Sequence, residues 1–315
     1  MAYVLAVLAA FANATTTILQ RMGVETAPAD TTMRLSLLAY AIRRTVWLAG
    51  FGVMVGAFLL QAFALHYGTL TSVQPILTLE LPFLVAILWL WFRQHMTWRE
   101  WLGALGAAGG LALFLAVANP ISGGEVPSPS DWGLVTLVCV CAVTGAVLLT
   151  RVGPIAWKAA WFGVAAAIDF ALTAAFIKQM TRDISAHGWG FLAHWSPYAV
   201  AVAGVMGLFL AQNAFHAGPV TASQSTLVIV DPLASVAIGI GLFNDSVRTG
   251  GAAVPLEVVG LSIMFAGVLS LAMSPLVAHV KSESGEDDHL LTQRWRHLHG
   301  EAEGEGGTGA AWGTS

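Results

Sequence analysis

Charge is what this chain has least of. Of its 315 residues only 10% are Asp, Glu, Lys or Arg, while 57% are hydrophobic and the mean hydropathy is +0.72. A soluble globular domain carries about 25% charge, so a water-soluble fold is excluded. Cysteine is almost as scarce. Cys139 and Cys141 lie two apart in one apolar run and point to different faces of a helix, which gives neither a disulfide framework nor a metal site. Both read as inert packing groups. Nucleophile elbow, phosphate-binding loop and zinc spacing are all missing, so neither an enzyme nor a cofactor is expected. The net charge of -4 arises largely from a hydrophilic tail. Without a basic stripe, nucleic acid is excluded as a partner.

Long apolar runs are what the chain has in abundance. Stretches near the roughly 20 residues that cross hydrocarbon fall at about 2 to 20, 46 to 66, 70 to 93, 98 to 119, 131 to 151, 157 to 178, 195 to 216, 220 to 243 and 254 to 275. The expectation is an all-α polytopic membrane protein with nine spans. Ala12-Asn13-Ala14 resembles a signal-peptide cleavage site, but no basic residue precedes the first run and Arg21 follows it, so an uncleaved first helix is expected. A short amphipathic patch, 33 to 42, is expected to lie on the surface. Trp47, Trp98, Trp132, Trp157 and Trp195 near span ends suit an interfacial belt.

Basic residues divide unevenly between the two sets of connections. Arg21, Arg34, Arg43, Arg44, Arg93, Arg99, Arg151, Lys158, Lys281, Arg294 and Arg296 fall on one side; Lys178, Arg182 and Arg248 fall on the other. The positive-inside rule then places the N-terminus outside and the C-terminus in the cytoplasm of a plasma-membrane protein. The acidic, Gly-rich segment 276–315 reads as a disordered cytoplasmic tail, and its His289, His297 and His299 as solvated.

A repeat organises the spans. Ala64, His66, Gly68, Thr71, Gln74, Leu77 and Pro82 recur at identical spacing as Ala214, His216, Gly218, Thr221, Gln224, Leu227 and Pro232. Glu100-xx-Gly103 recurs as Glu257-xx-Gly260 after a short insertion near Gly250. The first and sixth spans also correspond, with Asn13 and Asp169 each near the middle. An odd number of spans separates the copies, so equivalent helices would cross the bilayer in opposite directions, the construction of many secondary transporters. Residues 1–121 form the first repeat, and 122–275 the second, whose opening span has no counterpart in the first. The Gly-, Pro- and Ser-rich segment 122–130 joins them.

Polar groups at mid-span mark the candidate site. Glu80, Asp169 and Asp231 sit near the centres of the third, sixth and eighth spans. Each costs about 2.5–3.5 kcal/mol to insert at the helix centre, and acids kept at such depth mark ion or proton pathways. Asn13, Gln74 and Gln224, with Gln61, Gln212 and Asn213, add neutral hydrogen-bonding groups. Pro82 and Pro232 are expected to interrupt their helices and free a carbonyl. His66 and His216, at opposite mouths, are gating candidates, although an interfacial histidine reaching for water gives the same pattern.

These motifs carry a resemblance. An Ala-rich span end (Ala62 to Gly68), a span with a central proline (Pro82) and a Gly-rich span opened by a charged turn (Arg99 to Gly110) recur as Ala214 to Gly218, Pro232 and Glu257 to Gly267. In that order, twice over, they resemble the drug/metabolite transporter superfamily. The basic segment after the first span, Val73-Gln74-Pro75-Ile76 and Gly153-Pro154 are most similar to its nine-helix NIPA-type magnesium transporters. Ser225 stands where the second copy of that motif would carry proline, and Glu80, Asp169 and Asp231 match nothing in that branch's pattern. The resemblance implies a secondary carrier of a small polar or cationic solute, ion- or proton-coupled, working by alternating access. The alternatives are a magnesium or other divalent-cation transporter, with Glu80, Asp231 and Asp169 as ligands, and a non-transporting membrane scaffold. Expected partners are the solute or ion and membrane lipid, with a homodimer as the assembly to test.

The charge asymmetry sets a topology test. In a background lacking Cys139 and Cys141, Ser128→Cys should react with an impermeant maleimide from outside the cell and Ser284→Cys only from inside. Labelling of both from one side overturns the nine-span orientation.

Overall fold

The computed structural model describes residues 1–24, 45–92, 96–123, 126–152, 155–217, 220–248, 250 and 252–274. The surface patch 33–42 and the tail 276–315 lie outside the described residues. Every regular element among those described is helical, apart from one isolated bridge between Ile121 and Ser246. The helices are α1 (Ala2–Val24), α2 (Thr45–Tyr67), α3 (Leu70–Leu77), α4 (Glu80–Phe92), α5 (Trp98–Ala118), α6 (Pro129–Leu149), α7 (Ile155–His187), α8 (Ser196–His216), α9 (Val220–Phe243) and α10 (Ala253–Ala272), with a 3-10 turn at Gly188–Ala193. Counting α3 and α4 as one, nine helical stretches among the described residues are long and apolar enough to cross a membrane. The protein is accordingly multi-pass.

Two spans depart from the sequence expectation. The third is broken. Thr78 N–H donates to Pro75 O (3.3 Å), Leu79 N–H to Ile76 O (3.0 Å) and Leu81 N–H to Thr78 O (3.3 Å), so the ladder tightens to i→i−3 over two residues before α4 begins. Pro82, expected to interrupt a helix, instead sits in the first turn of α4, where its missing N–H costs nothing. Pro232 does lie inside α9. The sixth span, expected to end near 178, continues to His187, giving α7 33 residues. At 1.5 Å per residue it is about 50 Å long, against about 30 Å of hydrocarbon, so its last turns reach the interface.

Helix ends follow local chemistry. Thr97 and Glu100 form a capping box at the start of α5, and Ser128 and Asp131 another at α6, with Pro129 in its first turn. Asn119 closes α5 in the left-handed conformation, φ 40°.

Packing is inside out relative to a soluble protein. Leu102, Leu105, Leu134, Leu137, Val202, Val205 and Phe209 are exposed on the outer faces of α5, α6 and α8, while α7 buries Ala165, Ala166, Ala167, Ala171, Ala174 and Ala175. Small residues let backbones approach where apolar burial gives no drive between helices in lipid. Helix α1 packs on α2, α7 on α8 and α9, and α5 on α10. The α5–α10 contact runs antiparallel along glycines. A Cβ at Gly110 would overlap Met264 N and lie 2.6 Å from Gly260 O, and one at Gly267 would overlap Ala107 N. At Gly103 it would lie 3.1 Å from Gly267 O, and at Gly260 2.8 Å from Phe114 N. Gly109, one residue from the seam, faces open space.

This contrast is testable. Gly110→Ala and Gly267→Ala should each lower the thermal midpoint, at an overpacking cost of about 1–3 kcal/mol. Gly109→Ala should leave it unchanged or slightly raised. Equal effects at all three positions would show that the seam is not tight.

Candidate functional site: a mid-span cavity and a buried ion pair

A cavity of about 960 Å³ opens between α1, α2, α3, α4, α7, α8 and α9. Its polar wall comes from a few positions on each. Helix α1 contributes Asn13, Thr16 and Thr17; α2 contributes Gln61; α3, Gln74; the break, Thr78; α4, Glu80; α7, Thr173; α8, Gln212; and α9, Asp231 and Pro232. Phe58, Phe170, Leu208 and Val228 line the remainder. Glu80 opens α4, where the helix dipole favours an acid. Asp231 is the twelfth of the 24 residues of α9 and accepts from the Ser235 hydroxyl (3.4 Å).

Hydroxyls around the cavity are partly satisfied by their own helices. Thr17 donates to Asn13 O (3.2 Å), Thr173 to Asp169 O (2.9 Å) and Thr78 to Pro75 O (2.7 Å). Thr16 Oγ1 and Gln74 Nε2, by contrast, are buried with no hydrogen-bond partner among the described residues. Unsatisfied buried polar atoms are costly and call for a partner. Here two of them face one cavity that also holds two acids.

The structure thus brings together Asn13, Gln74, Glu80, Asp231 and Pro232 from the residues singled out in sequence, along with Gln61 and Gln212. Asp169 is not among them. Its neighbours Phe170 and Thr173 face the cavity, but its own carboxyl turns to α8. There Gly207 makes room for it: a Cβ at that glycine would lie 2.6 Å from Asp169 Oδ2. That oxygen is buried with no hydrogen-bond partner among the described residues. His66 is exposed at the end of α2, edge-to-face with Tyr67 at 4.7 Å. Pro82 is half-buried beside the cavity. The side chains of His216 and Gln224 lie outside the described residues.

A second polar centre, missed in sequence, lies at the face of the bundle that carries Met1. Asp245, just after α9, accepts from Thr71 N–H (3.3 Å) and the Thr71 hydroxyl (3.1 Å) and sits 3.7 Å from Lys178 Nζ. Lys178 also lies over the Phe243 ring at 4.6 Å, and Arg182 over the same ring at 5.1 Å. Gly239 lets the start of α3 approach, since a Cβ there would lie 2.5 Å from Thr71 Oγ1 and 3.1 Å from Thr71 N. Lys178 and Arg182 read in sequence as connection charges; instead Lys178 is buried and Arg182 half-buried, because α7 runs about two and a half turns further than expected. The signal available was a lysine following directly on an apolar run, four positions before Arg182. On the opposite face, Glu100 accepts from Thr97 N–H (2.6 Å) and from the Ser274 hydroxyl. Its repeat mate Glu257 has an oxygen without a partner among the described residues.

Breaking a buried pair leaves a bare charge at a cost of about 3–5 kcal/mol. Asp245→Leu or Lys178→Met alone should therefore destabilise the protein strongly in detergent unfolding, while the double variant should recover much of the loss. Additive single effects would remove the pair from the account.

No family model and no solved structure matches this chain. It is 30% identical over 244 residues to the uncharacterized protein Cgl0250/cg0304 of Corynebacterium glutamicum, an alignment spanning 75% of this chain and 83% of that protein. The chain belongs to the same family as that corynebacterial protein.

Proposed function

We propose that this protein is a secondary membrane transporter of a small polar or cationic solute, coupled to an ion or proton gradient and working by alternating access. The observation that carries this reading is the mid-span cavity. It places Glu80 and Asp231 in one space with Asn13, Gln61, Gln74 and Gln212, large enough for a small solute. Acids kept at such depth belong to ion and proton pathways, and Thr16 Oγ1 and Gln74 Nε2, on residues of the same wall, have no hydrogen-bond partner among the described residues.

The inverted-repeat architecture is part of the proposal. In the repeat, Gly103 corresponds to Gly260 and Gly110 to Gly267. The α5–α10 seam sets Gly103 against Gly267 and Gly110 against Gly260, so each contact is exchanged with the other by a two-fold axis. Because the helices are antiparallel, that axis would lie in the membrane plane. The packing of α1 on α2 and of α7 on α8 has the same sense. We read these as the two units of a drug/metabolite-type carrier, with Met1 outside.

A second reading, a magnesium or divalent-cation pathway, is favoured by the oxygen chemistry of the wall. Carboxylates, amides and hydroxyls are the donors that hard cations prefer, and the described lining contains neither His nor Cys.

Flux in proteoliposomes tests both. Glu80→Gln and Asp231→Asn should each fold and express as the wild type does but reduce gradient-driven uptake across a panel of amines and metal ions to background. Wild-type flux in the double variant would refute the coupling role. On the magnesium reading, Mg²⁺ at a hundred times its Kd should stabilise the wild type by about 2.7 kcal/mol, and Asp231→Asn should lose that shift.

A further inference from the structure

A second recess, separate from the transport cavity, lies between α6, α7 and α8 at the Met1 face. Its volume is about 670 Å³, within the roughly 300–1,000 Å³ typical of small-molecule sites. Three observations define what it would hold. The first is a floor of aromatic rings. Trp132 stacks on Phe176 at 5.4 Å, and Trp195 meets both edge-on at 5.1 and 5.7 Å. Trp132, expected from sequence to sit in the interfacial belt, is in fact buried here.

The second is a buried amide. Gln179 lines the recess, is 9% exposed, and donates through Nε2 to Asp183 Oδ1 at 3.0 Å. That bond fixes the amide orientation and leaves Oε1 buried with no partner among the described residues. At the interfacial end of the recess this unpartnered acceptor calls for a donor. The third is polarity with depth. Gln179 stands two turns before the end of α7, and Trp132 and Trp195 begin α6 and α8, so this end lies at the interface. From there Gly133, Thr136, Leu137 and Val140 carry the wall along α6, about 12 Å deeper from Trp132 to Val140. None of the described lining residues is charged.

We infer that this recess binds an uncharged amphiphile of the bilayer, a lipid with a hydroxyl donor at its polar end and an apolar body lying along α6. A hydroxyl would donate to Gln179 Oε1 while the tryptophan rings cover the first carbons below it. A phospholipid fits poorly, because its phosphate would meet no cation in the wall and would be desolvated against indole. The inference needs only the membrane setting of the helices and stands apart from the transport reading.

The test uses the full chain in phosphatidylcholine nanodiscs with a trace of diacylglycerol bearing a diazirine in its acyl chain. A phosphatidylcholine with the same chain serves as the comparison probe. After photolysis, adducts are mapped by mass spectrometry. Diacylglycerol adducts should concentrate on the peptide from Trp132 to Val140 well above those of phosphatidylcholine, and unlabelled diacylglycerol should compete them away. Gln179→Leu should weaken the competition about tenfold, as expected for one lost hydrogen bond to a buried acceptor. Gly133→Phe fills the recess from a position where nothing lies within 4 Å of a Cβ. It should abolish the preference even if Gln179→Leu folds poorly. Equal labelling by the two probes, or a preference intact in Gly133→Phe, overturns the assignment.

Discussion

Everything in this structure answers to one constraint: in hydrocarbon no water is available to satisfy a polar group. Backbone groups meet it by staying in helices. Side chains meet it by gathering. Asp245 accepts from Thr71 and pairs with Lys178 at the Met1 face, Glu100 accepts from Ser274 at the opposite face, and Asn13, Gln61, Gln74, Glu80, Gln212 and Asp231 gather around one cavity. Polar residues are few in this chain, so their positions are informative in a way that those of a soluble protein are not.

The same constraint explains why the helix contacts take different forms. Between α5 and α10, away from the Glu100–Ser274 hydrogen bond at one end, association rests on close approach along glycine. At the start of α3 the contact with α9 is made by a carboxylate that collects a backbone N–H, a hydroxyl and an ammonium. The first kind of contact tolerates sliding or rotation, because dispersion is non-directional. The second has a defined geometry and separates only by exposing a charge. A bundle with both has places that can turn and places that must open or stay shut.

Much of this was legible in the sequence, and the illegible parts have physical reasons. Hydropathy located the nine membrane-length stretches, because length and apolarity decide crossing before any tertiary contact is made. It could not show that the third stretch breaks at Thr78 and Leu79. Nothing in the composition of that stretch says where a ladder between Pro75 and Pro82 will tighten. Nor could it show that Lys178 is interior, since a lysine after an apolar run marks an end unless another element supplies its counter-charge, and Asp245 is far away along the chain. Glu80, Asp231, Asn13 and Gln74 were recognisable by depth alone. Depth did not suffice for Asp169. Which way a residue points around a helix is settled by what packs there, and Gly207 gives that carboxyl a berth against α8 rather than toward the cavity. Trp132 misled for the same reason, since its position at a helix start is interfacial but its ring turns inward onto Phe176.

The glycine seam between α5 and α10 also bears on mechanics. Where two backbones touch with no side chain between them, their separation is set by peptide atoms and cannot change by rotamer adjustment. The contact can rotate, but it can scarcely stretch or compress. In the alternating-access carrier proposed above, that would make it an axle: the line about which other distances vary while its own is held constant. In that carrier the neighbouring helices would be the arms, and their travel would grow with distance from Gly110 and Gly260.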